Sequence, residues 1–286
     1  MKSDYLKKLN LFKKAKREKW ALPQFNFSSF FQYKAILEAA EEIKKPFILA
    51  TSEGESRFLG LSLAVFLKKE AEKRIKVPII LNLDHGKSYE YLKEAIEAGF
   101  DMVHFDGSHL SFEENLKITK KLVKYAKKRG VIVEGEIEEI KGSSRVHKKR
   151  AKEIVKNFTI PKKAKEFVSK TKIDALAVSI GNVHGMYKGK IKLDLERLEK
   201  INSLLKNTFL VLHGGSGIEE KEIKKAIERG ITKINVNTEI RLAWRKGTEK
   251  AFKRFPNEIA PYKLKDPIIE EIKKIIKEKF FIFYRL

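Results

Sequence analysis

Short apolar stretches recur along the chain. Each is followed by a longer segment in which apolar residues return every three or four positions. The short stretches are ALPQFNF (21–27), PFILAT (46–51), VPIILNLD (77–84), DMVHFDG (101–107), VIVEGEI (131–137), ALAVSIG (175–181), TFLVLHGG (208–215) and KINVNTE (233–239). Runs of this length rich in Val, Ile, Leu and Phe predict buried strands, and the longer period predicts amphipathic helices. SRFLGLSLAVFLKKEAEK, SYEYLKEAIEAG and EEKEIKKAIERG read as such helices. Several of these segments close on a glycine, at Gly99, Gly130 and Gly230, where a left-handed residue commonly ends a helix.

Strands that alternate with helices pair in parallel. Eight such units within 286 residues predict one α/β domain over 1–286, a (β/α)8 TIM barrel. A doubly wound open sheet would carry a glycine-rich dinucleotide turn after an early strand, and none is present. Two segments lie outside the repeat. Residues 1–19 read as a basic amphipathic helix that covers the bottom of the barrel. Residues 264–286 read as a helical extension ending in FFIFYRL, an apolar tail suited to its own barrel or to a partner subunit.

Composition narrows the chemistry. With 42% hydrophobic residues the chain can build a full core, and without cysteine it has neither disulfides nor thiolate metal ligands. The N-terminus lacks an apolar signal segment, and no apolar run approaches the about 18 residues of a membrane span; a cytoplasmic protein with no membrane partner is expected. The net charge of +24 admits nucleic-acid binding or steering of an anionic substrate. Most lysines, however, alternate with glutamates on helical faces, and the abundance of Lys, Glu and Ile resembles a thermophile surface. The expectation is a solvated surface and no nucleic-acid partner.

Polar residues in the strands gather at their C-terminal ends. They are Asn26, Ser52 and Glu53, Asp84 and His85, Asp106 and Ser108, Glu134 and Glu136, His184, His213, and Asn235 and Asn237. In a barrel these ends meet on one face, where active sites form. Three histidines from three strands could hold one Zn²⁺ and leave a position open. Asp106 and Glu136 add oxygen ligands or a second metal position. His104 lies deeper and reads as a core histidine, His109 as locally bonded, and His147 as a solvated loop residue. HGGSG (213–217) and NVNT (235–238) follow the seventh and eighth strands, the usual phosphate site of a barrel. HGMYKG (184–189) reads as a further glycine-flanked turn.

The segments LDHG, DGSHLSFEEN, VEGEI, HGMYKGKIKLD, VLHGGSG and KINVNTEIR, in that order, resemble the signature segments of the class II, metal-dependent fructose-bisphosphate and tagatose-bisphosphate aldolases. LPQFN and SEGESRFLG match as well, so the resemblance runs from about residue 22 to about residue 252. It implies that Asp84 transfers the proton at the C4 oxygen, that His85, His184 and His213 hold Zn²⁺, and that Asp106 and Glu136 form a second metal position. It further implies substrate contacts from Asn26, Ser52, Gly185, Gly214, Gly215, Ser216, Asn235, Val236, Asn237, Thr238 and Arg241, the last at the far phosphate. A second divalent ion or a monovalent cation is compatible with this set, and a homodimer or homotetramer is implied.

The chemistry is consistent with the residues. Cleaving a ketose bisphosphate leaves an enediolate whose charge needs a sink, either a divalent metal or a Schiff-base lysine. ALAVSIG contains no lysine, and Lys233 begins the eighth strand, where it is expected at the bottom of the barrel. The stretch EIEEIKGSSRVHKKRAKEIVKNF after residue 135 departs from the family. Glu138 and Lys141 stand where glycines are usual, and between 141 and 160 the only acid is Glu153. Its basic residues Arg145, Lys148, Lys149 and Arg150 suit a loop that closes on an anion. Asn82 is a second departure, from His. Fructose 1,6-bisphosphate is the expected substrate, with tagatose bisphosphate or another ketose phosphate as the alternative. A basic nucleic-acid-binding barrel without catalysis is the alternative of another class.

Overall fold

The computed structural model describes residues 2–286; residue 1 of the expected 1–19 helix lies outside the described residues. The barrel strands are β1 (Leu22–Asn26), β2 (Phe47–Ser52), β3 (Ile79–Gly86), β4 (Met102–Asp106), β5 (Ile132–Glu136), β7 (Ala175–Ala177), β9 (Phe209–Leu212) and β10 (Ile231–Val236). They close in the order β1-β10-β9-β7-β5-β4-β3-β2, every pair parallel. The alternation of short apolar and long amphipathic segments is therefore realised as a closed TIM barrel. Between and after the strands run α1 (Lys2–Glu18), α2 (Phe30–Ile43), α3 (Glu53–Leu59), α4 (Leu61–Arg74), α5 (Tyr89–Ala98), α6 (Phe112–Lys127), α7 (Pro161–Thr171), α8 (Leu195–Leu204), α9 (Glu220–Glu228), α10 (Thr238–Arg254) and α11 (Lys265–Tyr284).

The pleat sends alternate residues to opposite faces, and this separates two cores. Phe25, Leu49, Leu81, Val103, Val133, Leu210 and Ile234 face outward into the helix layer. Leu22, Ile48, Ile80, Met102, Ile132, Ala175, Phe209 and Val211 face inward and form the floor of the barrel, which Phe12, Ala15 and Trp20 seal from below. Phe12 stacks on Phe209 with ring centroids 5.0 Å apart. Tyr5 Oη donates to Asp174 Oδ1 at 2.6 Å and Lys8 Nζ to Asp101 Oδ1 at 2.6 Å. The N-terminal helix is thus the expected bottom lid. The apolar tail docks on its own barrel: Phe280 and Phe283 are fully buried, and Phe280 meets Phe25 and Phe47.

Four local expectations are corrected. The segment 56–73 is not one helix, because Gly60 takes φ 89° and both caps α3 and precedes α4. HGMYKG is not a turn, and the 137–160 stretch is not wholly loop. His184–Lys188 (β8) pairs in parallel with Gly142–Arg150 (β6) in a separate two-stranded sheet. The sequence GSSRVHKKR lacks the apolar alternation that announces a strand, since most of β6 is exposed on both faces. Only the first three residues of ALAVSIG form a barrel strand.

Candidate active site

Strand register stacks the polar residues. His104 lies beside Glu134 and Asp106 beside Glu136 across β4 and β5; Ser52 lies beside Asp84 across β2 and β3. Above the apolar floor, Gln24, Asn82, His104, Glu134 and Lys233 form a middle layer, all fully buried. Asn82 Nδ2 donates to Gln24 Oε1 at 2.8 Å, so the asparagine found in place of histidine is satisfied within this layer. Asn26, Ser52, Asp84, Asp106, Glu136 and Asn235 stand one step higher, at the mouth.

Asp84 and His85 are sequence neighbours and, on a regular strand, would face opposite ways. The pairing of β3 with β4 shifts between Leu83 and Gly86, and His85 takes φ 50°. This bulge, with a left-handed residue that costs energy outside glycine, turns both side chains into the mouth. Asp84 Oδ1 accepts from Asn235 Nδ2 and Oδ2 from Asn26 Nδ2, each at 3.1 Å. Although burial opposes the charge, His85, His104, His213 and Lys233 hold the Asp84 carboxyl well below the usual carboxylate range.

Hydrogen bonds fix the imidazole tautomers. Asp106 Oδ2 lies 3.0 Å from His85 Nδ1, and Glu134 Oε1 lies 2.7 Å from His213 Nε2. A carboxylate only accepts, so each places the ring proton on the atom it faces. In the neutral rings His85 Nε2 and His213 Nδ1 then present lone pairs to each other at 3.0 Å, an arrangement that repels unless a proton or a metal cation lies between them. Although burial opposes it, Asp84 and Asp106 raise the His85 pKa. The ring of His184 stands 4.9 Å from that of His85 and 5.7 Å from that of His213. Its Nε2 is buried without a partner. Burial and the neighbouring His85 and His213 push the His184 pKa well down, and burial lowers that of His213; a metal requires such neutral imidazoles.

Among the described residues, two groups of side chains have ligand atoms close enough for one ion: Asp84, His85, His104 and His213, and His85, Asp106 and Glu136. His104 Nδ1, however, accepts from the His85 backbone N–H at 3.2 Å. That lone pair is used, in keeping with the expected core histidine. Glu136 Oε2 is buried without a partner. The orphaned atoms and opposed lone pairs fit a bound divalent metal.

A mouth cavity of about 110 Å³ is lined by Asn26, Ser52, Asp84, His85, Ser144, His184, Gly214, Ser216, Asn235, Asn237, Thr238 and Arg241. It continues, past Ser144, Thr238 and Arg241, into a groove of about 810 Å³ bounded by Arg145, Trp244 and Arg245. The N-terminus of α10 begins at Thr238, beside Ser216 on the cavity wall. Gly214 takes φ 63°, and a Cβ there would lie 2.1 Å from Val183 O, so only glycine fits. Gly214 and Ser216 thus line the cavity beside a helix N-terminus, a place that suits an anion.

Three expected contacts do not line this cavity. Val236 turns its side chain to the outer core by alternation. Gly215 packs against Ile234, with its N–H bonded to Asn235 O at 3.0 Å. Gly185 is covered by β6 and His147. His147 itself stacks on Tyr187 with centroids 4.3 Å apart, rather than standing free in a loop. Lys233 is not at the bottom of the barrel. It is the third residue of β10, fully buried, with Nζ 2.6 Å from Glu134 Oε2.

Two residues were missed. Ser144 reaches the cavity from β6, and its polar, basic segment carried no signal for this. Glu55 accepts from Ser52 N at 2.8 Å, from Asn26 Nδ2 and Asn237 Nδ2 at 3.1 Å, and from Arg241 Nη2 at 2.6 Å. The S-x-x-E spacing of Ser52 and Glu55 is a capping box, formed here at α3, and was the available signal.

Residues 7–285 match the family described as fructose-bisphosphate aldolase class-II. A fructose-bisphosphate aldolase of Geobacillus stearothermophilus is 41% identical over 272 residues, covering 93% of this chain and 92% of that protein. The crystal structure of the YdjI aldolase of Escherichia coli K12 superposes with a TM-score of 0.80 at 28% identity, covering 96% of this chain and 95% of that one. A fructose-bisphosphate aldolase structure from Campylobacter jejuni, at 24% identity and a TM-score of 0.80 over 96% and 93% of the two chains, shares the fold.

Proposed function

The chain belongs to the class II fructose-bisphosphate aldolase family, a family of metal-dependent aldehyde-lyases, and on that footing we propose that it reversibly cleaves fructose 1,6-bisphosphate to dihydroxyacetone phosphate and glyceraldehyde 3-phosphate. Zinc would be held by His85, His213 and His184, with His85 Nε2 and His213 Nδ1 as the nitrogens left free by the carboxylates. Asp106 and Glu136 offer a second cation position. The observation that carries the assignment is the pair of lone pairs on His85 and His213, 3.0 Å apart, beside the unpartnered Nε2 of His184.

A divalent ion bound there would supply a sink for the negative charge that develops as the bond breaks. Asp84, held ionised and oriented by Asn26 and Asn235, takes the proton of the C4 hydroxyl as the C3–C4 bond breaks, and returns it in condensation. The phosphate of the dihydroxyacetone half binds the N–H groups of Gly214 and Ser216 and the N-terminus of α10. Arg241 meets the far phosphate from the groove side. Lys233 forms no Schiff base here, because it lies one layer below the mouth with its ammonium engaged by Glu134.

The reaction belongs to cytoplasmic glycolysis or gluconeogenesis, in an assembly of two or four copies; the exposed Phe30, Phe58 and Phe66 support the assembly. No helix among the described residues is long and apolar enough to cross a membrane. A second reading, an aldolase for tagatose bisphosphate or a longer ketose phosphate, is favoured by the open groove beyond Arg241. The deciding experiment is cleavage of fructose 1,6-bisphosphate before and after EDTA, with zinc restored. Loss and recovery support the proposal; zinc-loaded protein inert on this substrate but active on tagatose bisphosphate transfers it to the second reading.

A further inference from the structure

Lys233 and Glu134 have no place among the groups that touch substrate, yet both are fully buried inside the barrel. Taking an ammonium and a carboxylate out of water is costly even when they pair. Of the other three members of their layer, Gln24 and Asn82 are neutral amides that pair with each other, so the layer does not by itself demand an ion pair. The geometry shows a division of labour within the one carboxylate. Oε2 lies 2.6 Å from Lys233 Nζ. Oε1 lies 2.7 Å from His213 Nε2. Lys233 thereby anchors one carboxylate oxygen and leaves the other aimed at the ring.

We propose that the buried Lys233–Glu134 pair is a positioning device for the metal centre: it locks His213 as the Nε2–H tautomer and presents its Nδ1 lone pair to the ion. The proposal rests on the assignment of His213 as a ligand. Its mechanical logic comes from the strands. Glu134 is on β5 and Lys233 on β10, while His213 follows β9. The ion pair therefore crosses the barrel interior and ties the ligand to two walls rather than to its own loop. An imidazole without that acceptor could turn about its side-chain bonds or exchange its proton to Nδ1, and in either case the ligand atom is lost. Partners of this kind typically change metal affinity by about 10- to 100-fold.

The test separates positioning from simple charge compensation. In the double variant Glu134→Leu/Lys233→Met, an apolar pair of similar length replaces the ion pair, a change that buried pairs often tolerate. In Glu134→Asp the carboxylate is shortened by one methylene, so it withdraws from His213 without overfilling the core. Zinc Kd is measured by chelator competition, thermal stability on the metal-free proteins, and visible absorption on the cobalt-loaded proteins. The expected result is a zinc Kd raised about 10- to 100-fold in both variants, with altered cobalt ligand-field bands and little change in metal-free stability for the double variant. Wild-type zinc affinity and cobalt spectrum in a folded variant of either kind would overturn the inference. Wild-type protein that takes up no zinc would overturn the ligand assignment beneath it, and the inference with it.

Discussion

Arg241 Nη2 donates to Glu55 Oε1 at 2.6 Å, at the boundary between the mouth cavity and the outer groove. The same carboxylate also gathers Asn26, Asn237 and the Ser52 N–H. Glu55 thus holds the guanidinium at the place where the far end of an extended substrate would arrive. Arg241→Ala should raise KM for fructose 1,6-bisphosphate by about 10- to 100-fold, the range of a charged hydrogen bond. Its affinity for dihydroxyacetone phosphate should stay within about twofold of wild type. Steady-state kinetics paired with product-inhibition constants would check this; equal losses for both ligands would place Arg241 elsewhere in the site.

Asp84 is held by two asparagine amides and cannot reorient without breaking both. Asp84→Asn should lower kcat by about 10²- to 10⁴-fold, the usual contribution of a positioned proton-transfer group, while zinc content is retained. His85→Ala should lose both. Metal analysis of the purified variants beside their kinetics distinguishes the two roles. Full activity in His85→Ala would remove the zinc assignment.

If His85, His184 and His213 hold the metal as proposed, its removal should destabilise the fold as well as silence it, since the ion would tie together β3, β8 and the loop after β9. A ligand that binds only the native state stabilises it by about 4 kcal/mol at 1,000 times its Kd. The melting temperature should therefore fall on chelation and rise with added zinc in a concentration-dependent way, as calorimetry would show.

The floor of the barrel depends on α1. Phe12 is fully buried against Phe209, so Phe12→Ala should cost about 3–5 kcal/mol in urea unfolding. Under native conditions kcat should be unchanged, because the active site opens at the opposite end.

Glu271 ties α11 to α10 through Lys246 and Lys250, with Nζ–carboxylate distances of 2.9 and 2.7 Å. Hydrogen bonds from Lys250 and Lys246 lower its carboxyl from 4.5 to about 2. A depressed folded pKa stabilises the ionised native state. This contribution is complete above pH 4.5 and disappears as pH falls through about 2. Glu271→Gln should accordingly lower the urea midpoint at pH 7, with the difference from wild type shrinking as the pH is lowered from 4.5 towards 2.

The repeating pattern of short apolar and long amphipathic segments was enough to read the barrel, because a short continuous apolar run and a 3.6-residue period are local properties of a buried strand and a half-buried helix. The clustering of Asn26, Asp84, His85, Asp106, Glu136, His184, His213 and Asn235 at strand ends was legible for the same reason: once the strands are parallel, their ends share a face. The strand β6 was not legible, since it is exposed and paired only with β8, so no apolar alternation marks it.

What no local pattern could supply is which atoms meet. That Asp84 and His85 both enter the mouth depends on a bulge and a left-handed φ at His85. That Lys233 reaches Glu134, 99 residues away, depends on barrel closure. So does the choice of His213 Nδ1 over Nε2 as the free lone pair, because the acceptor that selects it comes from another strand. Residue types and their periodicity specify elements and faces. Register, closure and the tautomers that follow from them are settled by contacts between residues far apart in the chain, and only the folded barrel brings those together.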